Sequence, residues 1–321
     1  MSRDPRVVFG MPAYNRPDAL AQVLESLLSQ TCGDFGLVIV DDAPSPEVRS
    51  IVETYAALHP RIVYEENRPR LGMIGNWRKA YDRGRALFPR AEYFAWVSDH
   101  DVWHPRWLEV LTGVLDSQPT VVLAYPQMQR VFPTERRPVT RLCDTVGVSR
   151  RAARLRAVRE MTAGNCIYGL FRSSALERAG VFRPVIMPDR QLLFELSLFG
   201  EFAHVPEVLW YREVAGAFSF GRQRRMFFPD RIPLHTYLPA NVQHFGVLVW
   251  DLALRGRGRP AFGRLTGLGY AFLHLWNSTW HELVRHDAPW RVALDPRRAR
   301  RPRELDPLNN GADLYGSRSA Q

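Results

Sequence analysis

Short apolar runs alternate with amphipathic stretches through the first 126 residues. Runs rich in Val, Ile and Phe and bounded by turn residues predict buried strands, whereas apolar residues at helical spacing predict helices. The predicted strands are 6–11, 36–42, 61–66, 92–99 and 120–126, and the predicted helices are 17–30, 46–59, 72–88 and 105–117. Repeated strand–helix units predict an α/β fold with a mostly parallel sheet sandwiched by helices.

The second half of the chain has a less regular pattern. A strand followed by a helix is predicted for 165–182, with Ser173 capping the helix and Gly180 ending it. The other predicted elements are a helix at 187–200, two short strands around Pro206 within 202–212, and two helices at 234–254 and 261–285. This part should therefore add a few strands to the sheet and then continue as helices.

Polar side chains gather where the predicted strands end, and ligands of parallel sheets bind beyond those ends. The candidates are Pro12, Tyr14, Asn15 and Arg16 after the first strand, Asp41 and Asp42 after the second, Arg70 and Asn76 after the third, and Asp99 and Asp101 after the fourth. The chain has neither G-x-G-x-x-G after its first strand nor a phosphate-binding P-loop motif. A nucleotide at this edge would therefore be held by side chains and a metal ion.

The carboxylates of Asp99 and Asp101 are separated by one residue, His100. Their mutual repulsion calls for a positive partner, and a hard divalent cation such as Mg²⁺ or Mn²⁺ prefers carboxylate oxygens. Neutral imidazole is a poorer ligand for such a cation, so the His100 side chain is expected to point away and to hydrogen-bond the loop. The alternative is that the two aspartates only cap the helix that begins near Pro105.

Composition narrows the classes of partner and compartment. The net charge is +10, but Lys79 is the only lysine, and the arginine clusters at 150–159, 222–225 and 297–303 are interpreted as solvated helix faces or a loose tail. We expect no nucleic-acid partner, and weak affinity of the last cluster for anionic lipid is a hypothesis. The three cysteines have no C-x-x-C spacing, and the sequence has neither a secretory signal nor a membrane-spanning run, which suits a reducing cytoplasm.

Taken in order, these motifs resemble those of the inverting family 2 glycosyltransferases of the GT-A fold, a Rossmann-like α/β fold. The resemblance covers roughly residues 6–212. Its motifs are P-x-Y-N-R (12–16), the D-D pair (41–42), Asn67 and Asn76, D-x-D with W-x-P-x-W-L-E (99–109), G-L-F-R-S-S-A-L-E-R-A-G-V-F (169–182), the helix of Asp189, and P-E-V-L-W-Y-R (206–212).

The resemblance implies a role for several of these residues. Asp101 would be the direct ligand of Mg²⁺ or Mn²⁺, and Asp99 would lie nearer the ribose or a metal-bound water. Asp41 would contact the nucleobase, Tyr14 and Arg16 would lie beside the same nucleotide, and Asp189 would be the general base. Pro12, Asn15, Asp42, Arg70 and Asn76 complete the set of expected nucleotide-binding residues.

Several of these assignments have structural alternatives. Asp41 and, in particular, Asp42 could be turn formers before Pro44, and Asp189 could serve only the N-terminus of its helix. Arg68 and Arg70 could contact phosphate or simply face solvent. The family usually has an acidic residue immediately before the base, and Pro188 occupies that position here.

The resemblance also implies the division of the chain and the partners. A catalytic domain would span 1–220, with a nucleotide-sugar half at about 1–126 and an acceptor half at about 127–220, and 221–321 would be a helical C-terminal extension ending in a mobile Arg/Pro-rich tail. The donor would be a nucleotide-diphosphate sugar, and the acceptor a saccharide, lipid-linked or other hydroxyl in cell-envelope polysaccharide or glycoconjugate synthesis. Location in the cytoplasm, with a peripheral contact at the inner face of the cell membrane, is a further hypothesis.

Two other classes of function compete with this one. They are a sugar-1-phosphate nucleotidyltransferase and a non-catalytic binding protein of the same fold. The stretch F-G-M-P-A-Y-N-R-P after the first strand lacks the glycine-rich basic loop usual in the first class, and the retained D-x-D and Asp189 disfavour the second.

Overall fold

A computed structural model of the protein describes residues 4–131, 136–138, 143–159, 166–213 and 219–284. The strands are β1 Val7–Ala13, β2 Phe35–Asp41, β3 Ile62–Glu66, β4 Tyr93–Trp96, β5 Val102–Trp103, β6 Val121–Val131, β7 Arg136–Pro138, β8 Leu170–Arg172 and β9 Glu201–Glu213. The helices are α1 Pro17–Leu28, α2 Pro46–Leu58, α3 Gly72–Leu87, α4 Trp107–Ser117, α5 Arg151–Arg159, α6 Ser173–Ala179, α7 Pro188–Ser197, α8 Phe220–Phe227, α9 Ala240–Leu248, α10 Arg259–Phe262 and α11 Arg264–Val284.

The described strands form one sheet in the order β3-β2-β1-β4-β8-β6-β9-β5, and β7 pairs with β6 outside this path. The pairs among β3, β2, β1 and β4 are all parallel. Beyond β4 the sheet is mixed, because β8 is antiparallel to both of its neighbours while β6 and β9 are parallel. The predicted parallel sheet is therefore confirmed for the first four strands, and the second half adds antiparallel pairs.

Every residue of β1 and of β2 is buried, as expected for central parallel strands covered by helices on both faces. The helices between them begin where the sequence indicates. Pro17 is the first residue of α1, and the Ser45 hydroxyl accepts a hydrogen bond from the Val48 amide at 3.2 Å at the start of α2.

The prediction of two short strands around Pro206 is wrong, because β9 runs without a break from Glu201 to Glu213. The register between β6 and β9 shifts between Pro126 and Met128, opposite the part of β9 that contains Pro206. Proline has no amide hydrogen to donate, and an irregular register is where a sheet can accommodate it.

Two predictions about local structure also need correction. Ser173 is the first residue of α6 and makes no capping hydrogen bond, whereas the predicted end at Gly180 is confirmed. The arginine-rich segment 150–159 is not merely a solvated face. Arg154 is buried, and its guanidinium donates to the carbonyl oxygens of Ser197 at 2.8 Å and of Val148 at 2.7 Å.

The first predicted C-terminal helix is interrupted, whereas the second is confirmed as α11. Residues 234–237 form a short 3-10 turn, and α9 passes directly into a π-helical segment at Val249–Leu254. The hydrophobic core continues from the sheet into these helices through Leu248, Leu252 and Ala271. None of the helices in the described ranges is long and apolar enough to cross a membrane.

Candidate functional site

The first candidate residues meet because β1 lies between β2 and β4, with all three strands parallel. Their carboxyl ends therefore share one edge of the sheet. At this edge the backbone amide of Tyr14 donates a hydrogen bond to Oδ2 of Asp99 at 2.7 Å. The loop after β1 and the loop after β4 are thus joined directly, as the positions of their polar residues predicted.

His100 lies between the two aspartates of the D-x-D motif. Its Nδ1 is 2.7 Å from Oδ1 of Asp99, and its Nε2 is 3.9 Å from Oδ1 of Asp101. Burial lowers the pKa of His100, but the charge of Asp101 and the hydrogen bond to Asp99 outweigh it, so the pKa is raised. The prediction that this side chain points away is wrong, because a buried imidazole beside two carboxylates gains more from them than from the loop.

Asp101 is held by groups from β9. Its Oδ2 accepts a hydrogen bond from the indole Nε1 of Trp210 at 3.1 Å, and its Oδ1 accepts one from the amide of Glu213 at 3.2 Å. The Trp210 ring in turn stacks on Trp103, with centroids 5.6 Å apart and an interplanar angle of 6°. The Asp101 side chain is therefore held in place by an indole and a backbone amide, both supplied by β9.

Asp41 is completely buried at the end of β2. It accepts hydrogen bonds from the Ala43 amide and from the Tyr64 hydroxyl, both at 2.9 Å. Burial raises the pKa of the Asp41 carboxyl, these two hydrogen bonds lower it in part, and the nearby charge of Asp99 raises it again. Asp41 and Asp99 thus lie within electrostatic range of each other at the same edge of the sheet.

The next residue, Asp42, forms hydrogen bonds within the protein. Its carboxylate accepts hydrogen bonds from the amides of Leu71 at 2.7 Å and Gly72 at 2.9 Å, and from the side chain of Asn67 at 3.0 Å. These amides are the first of α3, whose flanking residue Leu71 provides no side-chain cap of its own. The carboxylate of Asp42 therefore anchors the start of α3 rather than initiating the turn toward Pro44.

The side chain of Asn76 belongs to the same buried network. It donates to the carbonyl oxygen of Ala13 at 3.1 Å and accepts from Asn67 at 3.0 Å. Lys79 completes the network by donating to Asn67 at 2.8 Å. The side chains that the sequence assigned to nucleotide binding thus fall into two groups, one open to the site edge and one that joins β1, β2 and α3.

The open group includes Arg70 and the loop after β1. The Arg70 guanidinium carbon lies 4.4 Å from the centroid of the Tyr14 ring, and its Nε is 3.3 Å from Oδ2 of Asp42. Arg16 pairs with Glu213 at 3.1 Å. Between them Asn15 adopts a left-handed φ of 53°, whereas Pro12 lies within the sheet opposite Val40. The loop therefore presents a ring and two guanidinium groups next to Asp99.

Asp189 lies in the first turn of α7, after Pro188. The preceding residue, Met187, also has a left-handed φ, at 55°, a backbone conformation that costs free energy outside glycine. Burial raises the pKa of the Asp189 carboxyl, while Arg190 and the charge of Arg212 lower it in part. A raised pKa makes the ionised carboxylate a stronger base, which suits it to accept a proton.

Arg212 was not among the residues expected from the sequence. It is 2% exposed, and among the described residues its Nε and Nη2 atoms have no hydrogen-bond partner. Its guanidinium carbon lies 5.8 Å from the Trp210 ring centroid, because alternate residues of a strand share a face. The sequence signal that could have found it is the W-Y-R motif. Because side chains alternate along a strand, Arg212 lies on the same face of β9 as Trp210, which binds Asp101.

Two buried guanidinium nitrogens without a hydrogen-bond partner are costly, so this arrangement suits an anionic ligand that supplies acceptor oxygens. Arg212 also acts electrostatically on Asp189. Strand β9 thus connects the carboxylate pair of the D-x-D motif to the candidate base. The site combines buried carboxylates, an unsatisfied buried cation and a carboxyl group of raised pKa at one edge of the sheet.

Comparison with known proteins agrees with this arrangement. Residues 9–177 match the sequence profile of glycosyl transferase family 2. Protein CgeD of Bacillus subtilis is 28% identical over 130 residues, which are 39% of this chain and 30% of that protein. WcaA of Escherichia coli, whose name gives it a proposed role in colanic acid biosynthesis, is 28% identical over 111 residues, or 34% of this chain and 38% of that protein. The matched segments span about a third of the length of these two relatives.

Among solved structures, S. aureus TarS residues 1–349 in complex with UDP-GlcNAc superposes with a TM-score of 0.58 at 12% sequence identity, covering 88% of this chain and 74% of that chain. At this identity the likeness concerns the fold. The family profile, which matches more than half of the residues, and the strand order described above lead to the same conclusion: the chain belongs to glycosyl transferase family 2 and has the GT-A fold.

Proposed function

We propose that the protein transfers a sugar from a nucleotide-diphosphate sugar to a hydroxyl group of an acceptor, with inversion at the anomeric carbon. The observation that carries this proposal is the buried Asp99–His100–Asp101 cluster, fixed from both halves of the chain, together with the buried Arg212 of β9, two of whose nitrogens lack a hydrogen-bond partner among the described residues. Sugar transfer leaves a nucleoside diphosphate, and a buried cation beside fixed carboxylates is arranged to stabilise that leaving group.

The donor nucleotide would bind against the loop after β1. Asp41 is buried at the base of this region, and Tyr14 and Arg70 form a stacked pair at its rim. A carboxylate suits hydrogen bonds from a nucleobase or ribose, and a guanidinium suits phosphate oxygens. We assign Asp42 and Asn76 to positioning this surface, because their side chains are already satisfied within the protein.

The donor set of the D-x-D motif fits a divalent cation of the Mg²⁺ or Mn²⁺ type. No cluster of three His, Cys, Asp or Glu ligands exists among the described residues, so Asp101 and Asp99 would be the protein ligands. Such ions commonly bind one or two carboxylates together with substrate phosphates. When bound, the cation would neutralise charge that develops on the diphosphate.

The chemical step needs one base and one leaving group. Asp189 takes the proton of the acceptor hydroxyl as its oxygen bonds to the anomeric carbon, while the bond from that carbon to the diphosphate oxygen breaks and leaves its electron pair on the diphosphate. Arg212 donates hydrogen bonds to the departing diphosphate. The raised pKa of Asp189 favours the proton transfer, and direct displacement of this kind inverts the anomeric centre.

We further propose that residues 1–220 act as the catalytic domain and that the acceptor belongs to polysaccharide or glycoconjugate synthesis. The likeness to WcaA supports this class of acceptor. The cytoplasm, where nucleotide sugars are present, is the proposed location.

Two isosteric variants test the proposal at separate steps. Calorimetry with UDP, GDP and dTDP, with and without Mn²⁺, measures binding, and release of nucleoside diphosphate from the cognate sugar donor measures turnover. UDP-GlcNAc is the first donor to screen, because TarS binds it. Asp101→Asn should abolish the Mn²⁺-dependent part of binding, because it removes a carboxylate charge. Asp189→Asn should retain binding and lower kcat by about 10²- to 10⁴-fold, because it removes only the base.

Asp144→Asn, a change at an exposed aspartate outside the site, is the matched control and should leave both quantities unchanged. Nucleotide binding that does not depend on the metal, or equal turnover in the Asp189→Asn variant, would contradict the corresponding part of the mechanism. Absence of nucleotide binding in the unmodified protein would contradict the function itself.

A further inference from the structure

The long helix α11 carries an exposed apolar row that the proposed reaction does not use. The aromatic stripe, as we call it, consists of Leu265, Phe272, Trp276 and Trp280, which are 86%, 58%, 68% and 56% exposed. These positions are spaced by seven, four and four residues, so they lie along one face of the helix. The rings of Trp276 and Trp280 stack with centroids 6.1 Å apart, and the stripe is therefore a continuous surface rather than scattered side chains.

Other positions of α11 are fixed to the rest of the protein. Ala271 and His274 are buried on the face opposite the stripe, and at the edge of the stripe the Asn241 side chain donates to the Thr279 hydroxyl at 3.0 Å. Arg159 of α5 donates to the carbonyl oxygen of Asn277 at 2.9 Å. Because these contacts hold the helix in one rotational setting, the aromatic stripe faces away from the core.

Phe245 of α9 extends the apolar surface beyond α11, since its ring lies 5.0 Å from that of Phe272. Helix α11 has 21 residues and is therefore about 30 Å long. Large contiguous apolar patches on a protein surface commonly mark a binding surface. An apolar surface of this length needs a binding partner of similar length.

The charge around the stripe is positive. Arg255, Arg257, Arg259 and Arg264 are exposed at the N-terminal end of α11, and residues 255–281 contain no acidic residue. Cationic groups thus lie at the N-terminal end of the helix that carries the aromatic stripe, which matches a surface that is both apolar and anionic.

We propose that the aromatic stripe and its arginines bind the surface of an anionic membrane, with α11 lying in the plane of the headgroups. Tryptophan rings prefer the boundary between headgroups and acyl chains, and arginines on the polar side bind lipid phosphates. Helix α11 carries its exposed apolar row on the outer face and is not long and apolar enough to cross a bilayer, which suits a helix that lies in the interface. This binding is independent of sugar transfer.

Vesicle co-sedimentation of the full chain tests the proposal. Vesicles of phosphatidylcholine alone are compared with vesicles in which about a third of the lipid is phosphatidylglycerol. The protein should bind the anionic vesicles, and the partition coefficient should fall about ten-fold or more in the variant Trp276→Gln/Trp280→Gln, which removes two large exposed rings. Higher salt should weaken binding of the unmodified protein, because the arginine contribution is screened.

Leu58→Gln is the matched control, because Leu58 is 73% exposed on α2 and does not belong to the stripe. This variant should bind vesicles like the unmodified protein, and all three proteins should unfold at the same temperature. Equal binding by the double variant would overturn the assignment to the stripe, and absence of vesicle binding by the unmodified chain would overturn the proposal. Sedimentation velocity adds a further outcome: a dimer that the double variant converts to a monomer, without vesicle binding, would assign the stripe to self-association instead.

Discussion

At the scale of single residues, the site shows which charged groups are satisfied and which are not. Arg154 and Arg212 are both buried arginines, but Arg154 donates to backbone carbonyl oxygens whereas two nitrogens of Arg212 have no partner within the described residues. Burial without partners costs stability, so the protein retains Arg212 at a cost that a ligand can offset. The two arginines therefore offer a direct comparison of a structural role with the functional role that we propose for Arg212.

We expect the Arg212→Met variant to be at least as stable as the unmodified protein and to lose about 10²-fold or more in kcat/KM. Methionine fills similar space and removes an unsatisfied buried cation, but it cannot bind the diphosphate. Thermal unfolding and release of nucleoside diphosphate measure the two quantities.

The matched control is Arg154→Met. It leaves backbone carbonyl oxygens unpaired, so it should lower the melting temperature while activity below that temperature is retained. A large loss of stability with Arg212→Met, or full activity in that variant, would be inconsistent with our assignment.

Apolar periodicity was sufficient to place the D-x-D and the D-D pair at strand ends, whereas Asp189 was assigned as the base candidate only by the resemblance to the family. It was not sufficient to separate Asp41 from Asp42, which differ in the direction of their side chains. It also failed for His100, whose position depends on two flanking carboxylates and on burial. Such environments come from tertiary packing, which a local pattern does not record.

At the scale of elements, the parallel half of the sheet was predictable and the later half was not. Strands β1 to β4 are consecutive units with a clear alternation, and their helices begin at Pro17 and Pro46. The two-residue strand β5 exists only because it pairs with β9, and β9 continues past Pro206 because the register with β6 is irregular there. Both features depend on a partner strand about a hundred residues away in the chain.

The packing of α9 on α11 contains two buried histidines, His244 and His274. Burial, together with the charge of Arg190, lowers the pKa of His244 to about 4. Burial, followed by the charges of His244 and Arg190, lowers that of His274 to about 3. The unfolded chain therefore binds protons on these residues first as the pH falls from the ordinary pKa of 6.5. Their contribution to stability is complete above that pH and is lost progressively as the pH falls toward the folded-state values.

We expect His274→Phe, which keeps a ring against Phe194 at a position now 4.3 Å from it, to reduce this pH dependence. The difference in the free energy of unfolding between the variant and the unmodified protein should change by about 3 kcal/mol between pH 7 and pH 4, in favour of the variant. Urea unfolding at several pH values measures it. A constant difference over this range would show that His274 is not buried in the neutral form.

At the scale of the whole molecule, one hydrophobic core extends from β1 to α11, and an ion pair with a buried carboxylate joins the loop before α7 to the C-terminal helices. Nη2 of Arg183 lies 2.6 Å from Oδ2 of Asp251. Glu195 is also buried nearby, and burial, followed by the charge of Asp251, raises its pKa while Arg183 opposes this. Arg183 is thus the cation that makes two buried carboxyl groups tolerable.

Arg183→Met should lower the free energy of unfolding by about 3–5 kcal/mol, because it leaves Asp251 without its partner. The matched control is Arg106→Met, which removes an exposed pair with Glu207 and should cost less than about 1 kcal/mol.

Far-ultraviolet and near-ultraviolet circular dichroism should follow one transition in the unmodified protein, since helices and buried tryptophans share the core. Separate transitions in the unmodified protein would contradict a shared core.

The donors that hold Asp101 have a consequence for the order in which the site forms. Trp210 and Glu213 follow Asp101 by 109 and 112 residues. During synthesis on the ribosome, the D-x-D loop therefore emerges long before the groups that orient it, and a nascent chain that ends at Glu177 carries Asp99 and Asp101 without the partners of Asp101. Capacity to bind a nucleotide should thus appear late in translation, once β9 has left the exit tunnel.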